Sequence, residues 1–190
     1  MNKNSLLIVM SGPSGVGKGT ICKELLSEND DIVLSVSATT RQPRPEDTDG
    51  VTYYFKTKDE FEKMIEDNEF MEWAKYNENY YGTPKKPVNE HLQNGKDVIL
   101  EIDAQGAMNL MSKYPDAVYI FIAPENTDVL YERLRKRGSE NEAEIEKRIK
   151  AAEWEISQKD KYDHVVVNKV VDDAAKEIIN IIGQRRDKLC

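Results

Sequence analysis

A glycine-rich segment near the start of the chain limits its possible folds more than any other feature. Residues 12–18 read Gly-Pro-Ser-Gly-Val-Gly-Lys, which matches the pattern G-x-x-x-x-G-K, and the apolar residues 6–10 precede them. Such a short apolar run is typical of a strand buried on both faces. We therefore expect a strand that ends at this segment and a helix that follows from about residue 18.

The chemistry of this segment predicts a phosphate site. Glycines allow backbone amides to surround an anion, the helix N-terminus adds partial positive charge, and Lys18 can reach the outer phosphates. The segment is therefore interpreted as the phosphate loop of a nucleoside triphosphate site. A glycine-rich strand-to-helix turn without a ligand is the alternative.

The alternation of short apolar runs with predicted helices indicates the fold class. The predicted strands are residues 6–10, 32–37, 97–102, 117–122 and 164–168. Parallel strands need crossover connections, so we expect an α/β fold in which helices cover both faces of a parallel sheet. The stretch from about residue 37 to residue 84 breaks the alternation, and we interpret it as an insertion that projects from the sheet.

Side chains that can cap helices predict where some helices begin. Thr57 and Glu60 have the spacing of a capping box and precede an apolar stripe of helical period. Thr127 is expected to cap a later helix, and the closing helix is expected to be capped by Asp172 or Asp173.

Composition limits the classes of partner. The chain has 27 Lys+Arg against 35 Asp+Glu and a net charge of −8, whereas binding to nucleic acid or to an anionic membrane requires a basic face. The longest apolar run, residues 117–123, is too short to span a bilayer. Two cysteines cannot form a disulfide framework and fit a reducing compartment. We therefore expect a cytoplasmic protein that binds neither nucleic acid nor membrane.

The arginines are concentrated in two places. Six of the eight lie at positions 41, 44, 133, 135, 137 and 148. Guanidinium groups bind phosphate oxygens bidentately, and a kinase that joins two phosphorylated substrates needs two cationic patches, whereas a simple NTPase needs one. Solvated salt bridges on helices are the alternative. We favour that alternative for Arg135, but not for Arg41 and Arg44, which lie in a proline-rich segment.

Several segments, taken in order, resemble the guanylate kinases. They are residues 11–18 (SGPSGVGK), 35–44 (SVSATTRQPR), 72–74 (EWA), 79–83 (NYYGT), 102–106 (IDAQG), 133–138 (RLRKRG) and 165–168 (VVVN), together with Tyr53. The resemblance covers essentially the whole chain. It implies a P-loop core of residues 1–36, 85–124 and 157–190, a GMP-binding insertion of residues 37–84 and a lid region of residues 125–156. It also implies the reaction ATP + GMP → ADP + GDP with Mg²⁺, in purine nucleotide metabolism.

The resemblance assigns roles residue by residue. The residues expected to bind ATP are Gly12, Pro13, Ser14, Gly15, Val16, Gly17, Lys18, Gly19, Thr20 and Asn168. The residues expected to bind the GMP phosphate are Arg41, Arg44, Tyr53 and Tyr81, and those expected at its guanine are Ser37, Glu72, Thr83 and Asp103. The residues expected to take part in catalysis are Lys18, Arg44, Arg133, Arg137 and Arg148. Without the resemblance, Tyr53 and Tyr81 are equally compatible with half-buried core positions.

The chemistry of guanine supports the assignment of Glu72. Guanine presents an N1–H and a 2-amino group side by side, so one carboxylate can accept both. Adenine has neither group there and would leave a desolvated carboxylate unpaired, which discriminates strongly. A hydroxyl at Ser37 can donate to O6 of guanine. The bases of GMP and dGMP are the same, so both are expected acceptors.

Gly19 departs from the family pattern, because Ser or Thr commonly follows the loop lysine. We therefore expect Mg²⁺ to be held mainly by nucleotide phosphates and water, with Asp103 or Glu101 at most in its outer shell. No residue of the chain is assigned as a metal ligand.

Two other functions are compatible with parts of the pattern. Guanylate-kinase-like domains of scaffolding proteins bind partners without catalysis, but their phosphate loops are typically eroded, whereas Lys18 is present here. A kinase for another phosphorylated acceptor, such as AMP, is the second alternative, and Glu72 with Ser37 argues against it. The sequence leaves open whether the protein is a monomer or a homo-oligomer.

Overall fold

The computed structural model describes residues 5–76, 78–136 and 142–188 of the chain. The strands are β1 (Leu7–Ser11), β2 (Ile32–Leu34), β3 (Ala38–Thr39), β4 (Tyr54–Phe55), β5 (Phe70–Tyr76), β6 (Asn79–Pro84), β7 (Asp97–Glu101), β8 (Val118–Pro124) and β9 (His164–Asn168). The helices are α1 (Lys18–Glu28), α2 (Lys58–Glu66), α3 (Lys85–Gln93), α4 (Ala104–Met111), α5 (Thr127–Lys136), α6 (Glu142–Ser157) and α7 (Val171–Asp187), and a 3₁₀ turn spans Lys159–Lys161. Within these described ranges, every helix is too short or too polar to cross a membrane.

Five strands form a parallel sheet in the order β2-β7-β1-β8-β9. The central strand β1 shows how both faces are covered. Ile8 and Met10 belong to the apolar core that includes residues of α1 and α7, whereas Val9 belongs to the core that includes residues of α3 and α4. Successive side chains of a strand point to opposite faces, so both faces of β1 are buried under helices. The predicted α/β class, a parallel sheet with helices on both faces, is confirmed.

The other four strands form a second sheet in the order β4-β3-β6-β5. All four lie between residues 38 and 84, inside the segment that interrupts the alternation of strands and helices. Phe61 of α2 is fully buried and stacks on Phe70 and Tyr80, with ring centroids 4.4 Å and 5.3 Å away. The second sheet thus has a small apolar core of its own. The boundaries of core, insertion and lid stay a prediction.

The starts of α2 and α5 show which side chains cap these helices. The capping box of α2 is confirmed, because the Thr57 hydroxyl accepts the amide of Glu60 at 3.2 Å and the Glu60 carboxylate accepts the amide of Thr57 at 2.7 Å. Helix α5 is capped by Asn126, whose Oδ1 accepts the amide of Val129 at 3.0 Å. The prediction that Thr127 caps this helix is wrong, since Thr127 is its first residue.

The start of α7 and the end of β2 also differ from prediction. No side chain caps α7 by a hydrogen bond, so the prediction of Asp172 or Asp173 as its cap is wrong. Both carboxylates lie in the first turn, where negative charge interacts favourably with the helix N-terminus. Strand β2 ends at Leu34 rather than at residue 37, because the chain then turns into the second sheet, where the Ser37 carbonyl accepts the amide of Tyr54 at 2.9 Å.

Candidate active site

The predicted phosphate loop lies between β1 and α1, at the carboxyl end of the central strand of the parallel sheet. Gly12 has a φ of 147°, and a Cβ at this position would lie 2.2 Å from the carbonyl oxygen of Ile122 on β8. Gly17, the residue before α1, has a φ of 102°. Both positions favour glycine, and Gly12 in addition has no room for a side chain. These glycines place a tight loop ahead of a helix N-terminus, which is an arrangement that receives anions.

Two long cationic side chains contact this loop. The ammonium group of Lys18 donates to the carbonyl oxygen of Gly12 at 2.5 Å. Arg148, from the distant helix α6, donates to the hydroxyl of Ser14 at 3.2 Å. The side chains of both predicted cations therefore contact the same short loop, although 130 positions separate the two residues in the sequence.

Asn168, at the end of β9, joins the far edge of the sheet to the loop. Its side-chain amide donates to the carbonyl oxygen of Val16 at 2.7 Å, and both residues are buried. Its Oδ1 atom is also buried and has no hydrogen-bond partner within the part of the chain that the structure describes.

The other residues predicted to bind ATP lie in or next to the loop. They are Pro13, whose carbonyl accepts the amide of Val16; Gly15, with a φ of 85°; and Gly19 and Thr20, both exposed at the start of α1.

A cavity of about 290 Å³ lies between the phosphate loop and the second sheet. Residues from the loop, from the end of β7, from α6 and from the second sheet line it. The predicted site residues among them are Gly12, Ser14, Lys18, Ser37, Tyr53, Glu72, Tyr81, Asp103 and Arg148. The structure therefore brings residues expected at both nucleotides to one cavity.

Glu72 is a buried carboxylate on the second-sheet side of this cavity. It is 5% exposed, and its Oε1 accepts a hydrogen bond from the hydroxyl of Thr83 on the adjacent strand at 2.7 Å. Burial raises the pKa of Glu72 to about 7; the hydrogen bond from Thr83 opposes this rise, and the negative charge of Asp103 adds to it. Thr83 is fully buried and contacts the carboxylate rather than lining the cavity. A ligand that donates N–H groups would relieve the cost of ionising Glu72.

The start of α4 lies against the Glu72 carboxylate. Asp103 caps this helix, since its Oδ1 accepts the amide of Gly106 at 2.7 Å. A Cβ at Gly106 would lie 2.7 Å from Oε2 of Glu72, which is closer than such atoms approach. The sequence pattern had not indicated a role for Gly106; the available signal was its place at the end of the segment 102–106.

The two arginines predicted to bind the acceptor phosphate do not line the cavity. Arg41 forms an ion pair with Asp47 at 2.9 Å, and its guanidinium lies 5.3 Å from the ring centroid of Tyr53. Arg44 is exposed, and its backbone amide donates to Asp47 at 2.7 Å. The rings of Tyr53 and Tyr81 do line the cavity and meet edge to face, with centroids 6.1 Å apart. The structure thus brings the two tyrosines together and holds Arg41 beside them in an ion pair.

A further carboxylate, Glu101, lies beside the residue that follows the loop lysine. A Cβ at Gly19 would lie 3.6 Å and 3.9 Å from the two carboxylate oxygens of Glu101. Burial raises the pKa of the neighbouring Cys22 thiol well above its usual range, and the charge of Glu101 adds to this effect. Glu101 and Asp103 both line the cavity with Lys18. Across residues 5–76, 78–136 and 142–188, no group of three or more His, Cys, Asp or Glu residues could hold a metal ion.

Two predicted cations fall outside this description, and one further residue was not foreseen. Arg137 and the side chain of Arg133 lie outside the described residues. Glu155 of α6 lines the cavity, although its role was not predicted from the sequence. The available signal was its spacing, since it follows Arg148 by seven residues, or two turns on the same helix face.

Comparison with known proteins gives one consistent description. The model of the family described as guanylate kinase matches residues 4–185 of the chain. A guanylate kinase of Caldanaerobacter subterraneus subsp. tengcongensis is 52% identical over 182 residues, which are 96% of this chain and 88% of that protein. A guanylate kinase of Onion yellows phytoplasma is 54% identical over 190 residues, which are 99% of this chain and 90% of that protein. The crystal structure of guanylate kinase from Anaplasma phagocytophilum has a TM-score of 0.78 and 33% identity, and the match covers 98% of this chain and 88% of that one.

Proposed function

The chain belongs to the guanylate kinase family, and we propose that the cavity between its two sheets is where it carries out that family's reaction, the transfer of the γ-phosphoryl group of ATP to GMP. The products are ADP and GDP. The observation that carries this assignment is that Lys18 of the phosphate loop and the buried Glu72 line the same cavity of about 290 Å³. One end therefore suits phosphates and the other suits a base that donates N–H groups.

ATP is the donor, and we assign its phosphates to the loop. The helix N-terminus, the loop amides and Lys18 provide positive charge for the β- and γ-phosphates. Asn168 supports an adenine site at the far edge of the sheet, because its buried Oδ1 atom has no hydrogen-bond partner within the described residues and could accept the exocyclic amino group. We assign Arg148 to the transferred phosphoryl group, because it already contacts the loop through Ser14.

GMP is the acceptor, and we assign its base to Glu72. The ionised carboxylate accepts the N1–H and the 2-amino group together, while Thr83 holds its other side in place at 2.7 Å. Ser37 lines the same cavity and can donate to O6. These groups are assigned to the base, and none of them is assigned to the 2′-position of the sugar. We therefore propose that dGMP is also an acceptor.

We assign the phosphate of GMP to the cluster of Tyr53, Tyr81, Arg41 and Arg44. The two tyrosines line the cavity, and their hydroxyl groups can donate to phosphate oxygens. Arg41 is held by Asp47 at 2.9 Å, so binding of the phosphate requires Arg41 to exchange one anionic partner for another. Such an exchange keeps the guanidinium paired throughout, which limits its desolvation cost.

The reaction needs alignment and charge stabilisation more than proton transfer. The attacking group is a phosphate oxygen of GMP, which is largely ionised at neutral pH because its second pKa is about 6. The protein must hold two anions that repel each other in line and stabilise the charge that spreads over the transferred group. Lys18 and Arg148 lie in the cavity where this charge develops. We propose that Arg44, Arg133 and Arg137 complete the cationic surroundings when the site closes and excludes water.

Magnesium fits the donor groups of this cavity. Hard carboxylate oxygens of Glu101 and Asp103 line it with Lys18, and Gly19 leaves open the space where a hydroxyl ligand commonly lies. Mg²⁺ usually keeps several waters and binds through phosphates and one or two carboxylates. We propose that Glu101 and Asp103 would hold the ion through its water ligands, together with the phosphates of the bound nucleotide. When bound, the ion offsets negative charge on the β- and γ-phosphates.

We propose that this reaction takes place in the cytoplasm, as part of purine nucleotide metabolism. ATP and GMP are nucleotides of the cell interior. The buried Cys22 is a free thiol, and burial keeps its pKa above the usual range. A thiol of this kind fits a reducing compartment.

A panel of nucleoside monophosphates tests the proposed acceptor site. With ATP as donor and ADP release as the readout, we expect turnover with GMP and dGMP and little with AMP, CMP or UMP. The variant Glu72→Gln should lower kcat/KM for GMP by about 100-fold, because each hydrogen bond to a charged partner contributes about 1.5–3 kcal/mol. The KM for ATP should change by less than about 3-fold, since Glu72 faces the other end of the cavity.

The matched control is Glu66→Gln, an exposed carboxylate on α2 of the same segment, which should behave as wild type. Comparable turnover with AMP and GMP would contradict the assignment of Glu72. Equal losses for both substrates in Glu72→Gln would point to general damage of the fold.

A further inference from the structure

One carboxylate oxygen contacts both of the arginines that are assigned to the acceptor phosphate. Oδ2 of Asp47 lies 2.9 Å from Nη1 of Arg41 and accepts the backbone amide of Arg44 at 2.7 Å. The backbone amide of Asp47 in turn donates to the carbonyl oxygen of Arg44 at 3.0 Å, which closes a turn of residues 44–47. The side chain of Asp47 is only 8% exposed, although its neighbours in the sequence lie at the surface. This carboxylate is therefore part of the packed structure of the segment rather than a solvated surface charge.

The guanidinium of Arg41 is held from several sides. Besides its ion pair with Asp47, its Nη1 donates to the carbonyl oxygen of Gln42 at 2.8 Å. Its Cζ lies 5.3 Å from the ring centroid of Tyr53, which lines the cavity. The hydrogen bond from Arg41 is the largest of the effects that lower the pKa of the Asp47 carboxyl below its ordinary value. An anion of the chain itself thus fixes Arg41 beside the cavity.

The two contacts of Oδ2 have opposite consequences for an incoming phosphate. A phosphate oxygen and a carboxylate oxygen compete for the same guanidinium donors and repel each other when both are charged. A contact that must be broken before a ligand binds opposes binding, because its free energy is lost in the complex. A contact that persists and keeps a binding group in place supports binding. The ion pair with Arg41 is of the first kind, and the bond to the Arg44 amide is of the second kind.

We propose that Asp47 is a positioning residue of the acceptor site, whose Oδ2 holds Arg41 until the phosphate of GMP takes over the guanidinium and holds the turn that carries Arg44 before and after that exchange. This inference rests on the assignment of the GMP phosphate to Arg41 and Arg44 in the proposed function. The carboxylate keeps Arg41 paired beside Tyr53, and for the same reason it competes with the phosphate. It acts only on ligands that carry a phosphate, since the base is assigned to the distant Glu72.

Two substitutions of Asp47 separate its contacts. In Asp47→Asn the neutral amide oxygen can still accept the amide of Arg44, but the ion pair with Arg41 is lost. We expect this variant to bind GMP about 5-fold more tightly than wild type, the upper range for an ion pair near the surface. Asp47→Ala removes the acceptor of the Arg44 amide as well and should bind GMP about 5-fold more weakly than Asp47→Asn.

Calorimetric titration of the whole protein with GMP and with guanosine measures these effects. Guanosine carries the same base without the phosphate, so its Kd should be the same in wild type and in Asp47→Asn. The ratio of the guanosine Kd to the GMP Kd should therefore rise about 5-fold in that variant. Glu46→Gln, which removes the neighbouring exposed carboxylate, is the matched control for net charge and should keep the wild-type ratio.

Each other result of the titrations has a distinct meaning. An unchanged or smaller ratio in Asp47→Asn would show that the carboxylate does not compete with the phosphate, which overturns the inference. Equal GMP affinities of Asp47→Asn and Asp47→Ala would overturn it too, because the carboxylate would not support the turn that carries Arg44. A wild-type protein that binds GMP no more tightly than guanosine would instead contradict the proposed function.

A crystal structure of the wild type with GMP decides the same question without a variant. We expect the guanidinium of Arg41 on the phosphate and beyond hydrogen-bond distance of Asp47, while Oδ2 still accepts the amide of Arg44. An Arg41 that contacts the phosphate and remains paired with Asp47 overturns the inference, even if neither substituted protein folds.

Discussion

A single missing methyl group, at Gly106, leaves room for the buried carboxylate of Glu72. Gly106 lies in the first turn of α4, and a Cβ there would lie 2.7 Å from Oε2 of Glu72 and 3.3 Å from Oδ1 of Asp103. Thr83 holds the opposite oxygen of Glu72 at 2.7 Å, so the carboxylate cannot move away without losing that bond. Glycine is required at this position by close approach rather than by backbone conformation.

Replacing Gly106 with Ala should therefore damage the proposed GMP site selectively. We expect the KM for GMP to rise at least 10-fold, because a displacement of the carboxylate misaligns both of its proposed bonds to guanine. The KM for ATP should stay within about 2-fold of wild type. Steady-state kinetics with each substrate varied in turn measures both values.

Gly183 provides the matched control for this substitution. It lies in α7, and a Cβ there would meet nothing within 4 Å. Gly183→Ala should leave both KM values unchanged and raise the free energy of unfolding by about 0.5–1 kcal/mol, because Ala is the better helix former. An unchanged KM for GMP in Gly106→Ala would show that the carboxylate can shift without cost.

At the scale of secondary structure elements, local signals identified helices better than they identified their first residues. The capping box at Thr57 was predicted because it depends on two side chains three residues apart. At α5 two adjacent residues could both act as caps, and the sequence does not distinguish them. Asn126 is the cap because it immediately precedes the first residue of α5 and its Oδ1 lies 3.0 Å from the amide of Val129, whereas Thr127 already lies within the helix.

Substitutions at these two adjacent positions test the assignment. Asn126→Ala should reduce the local stability of α5 by about 1 kcal/mol, because the amide of Val129 loses its acceptor. Thr127→Ala should change it by less than about 0.5 kcal/mol, since a residue inside the first turn provides no cap. Amide hydrogen exchange within α5 reports the local opening free energy of each variant. Equal protection losses in the two variants, or a larger loss in Thr127→Ala, would show that the cap is assigned to the wrong residue.

At the scale of the whole molecule, the fold could be predicted from the sequence more completely than the site. Apolar runs such as residues 98–100 reveal strands buried on both faces, and their alternation with helices leaves few arrangements other than a covered parallel sheet. The environment of Glu72 could not be predicted in this way. Its carboxylate lies against Thr83 and Gly106, and its pKa is raised by burial and by the charge of Asp103; these groups come together only after both sheets have formed and packed. The same reason hid Glu155, which lines the cavity together with Ser14 although the two residues lie far apart in sequence.

The raised pKa of Glu72 also makes a prediction for the stability of the nucleotide-free protein. Burial raises this pKa from 4.5 to about 7, so between these pH values the folded state binds more protons than the unfolded state. The free energy of unfolding then falls as the pH rises, and the raised pKa of Glu155 acts in the same direction. Chemical denaturation should show wild type less stable at pH 8 than at pH 5.5 by roughly 1–3 kcal/mol.

Two comparisons separate Glu72 from all other groups that titrate in this range. Glu72→Gln should be more stable than wild type at pH 8 and lose much of the pH dependence, because its neutral amide carries no buried charge. Glu66→Gln, which removes an exposed carboxylate, should follow the wild-type curve. Saturating GMP should stabilise wild type at pH 8 far more than it stabilises Glu72→Gln, because guanine supplies N–H donors to the ionised carboxylate. If Glu72→Gln were destabilised at pH 8, the carboxylate would be a structural group, and its burial would not reflect preparation of a site for guanine.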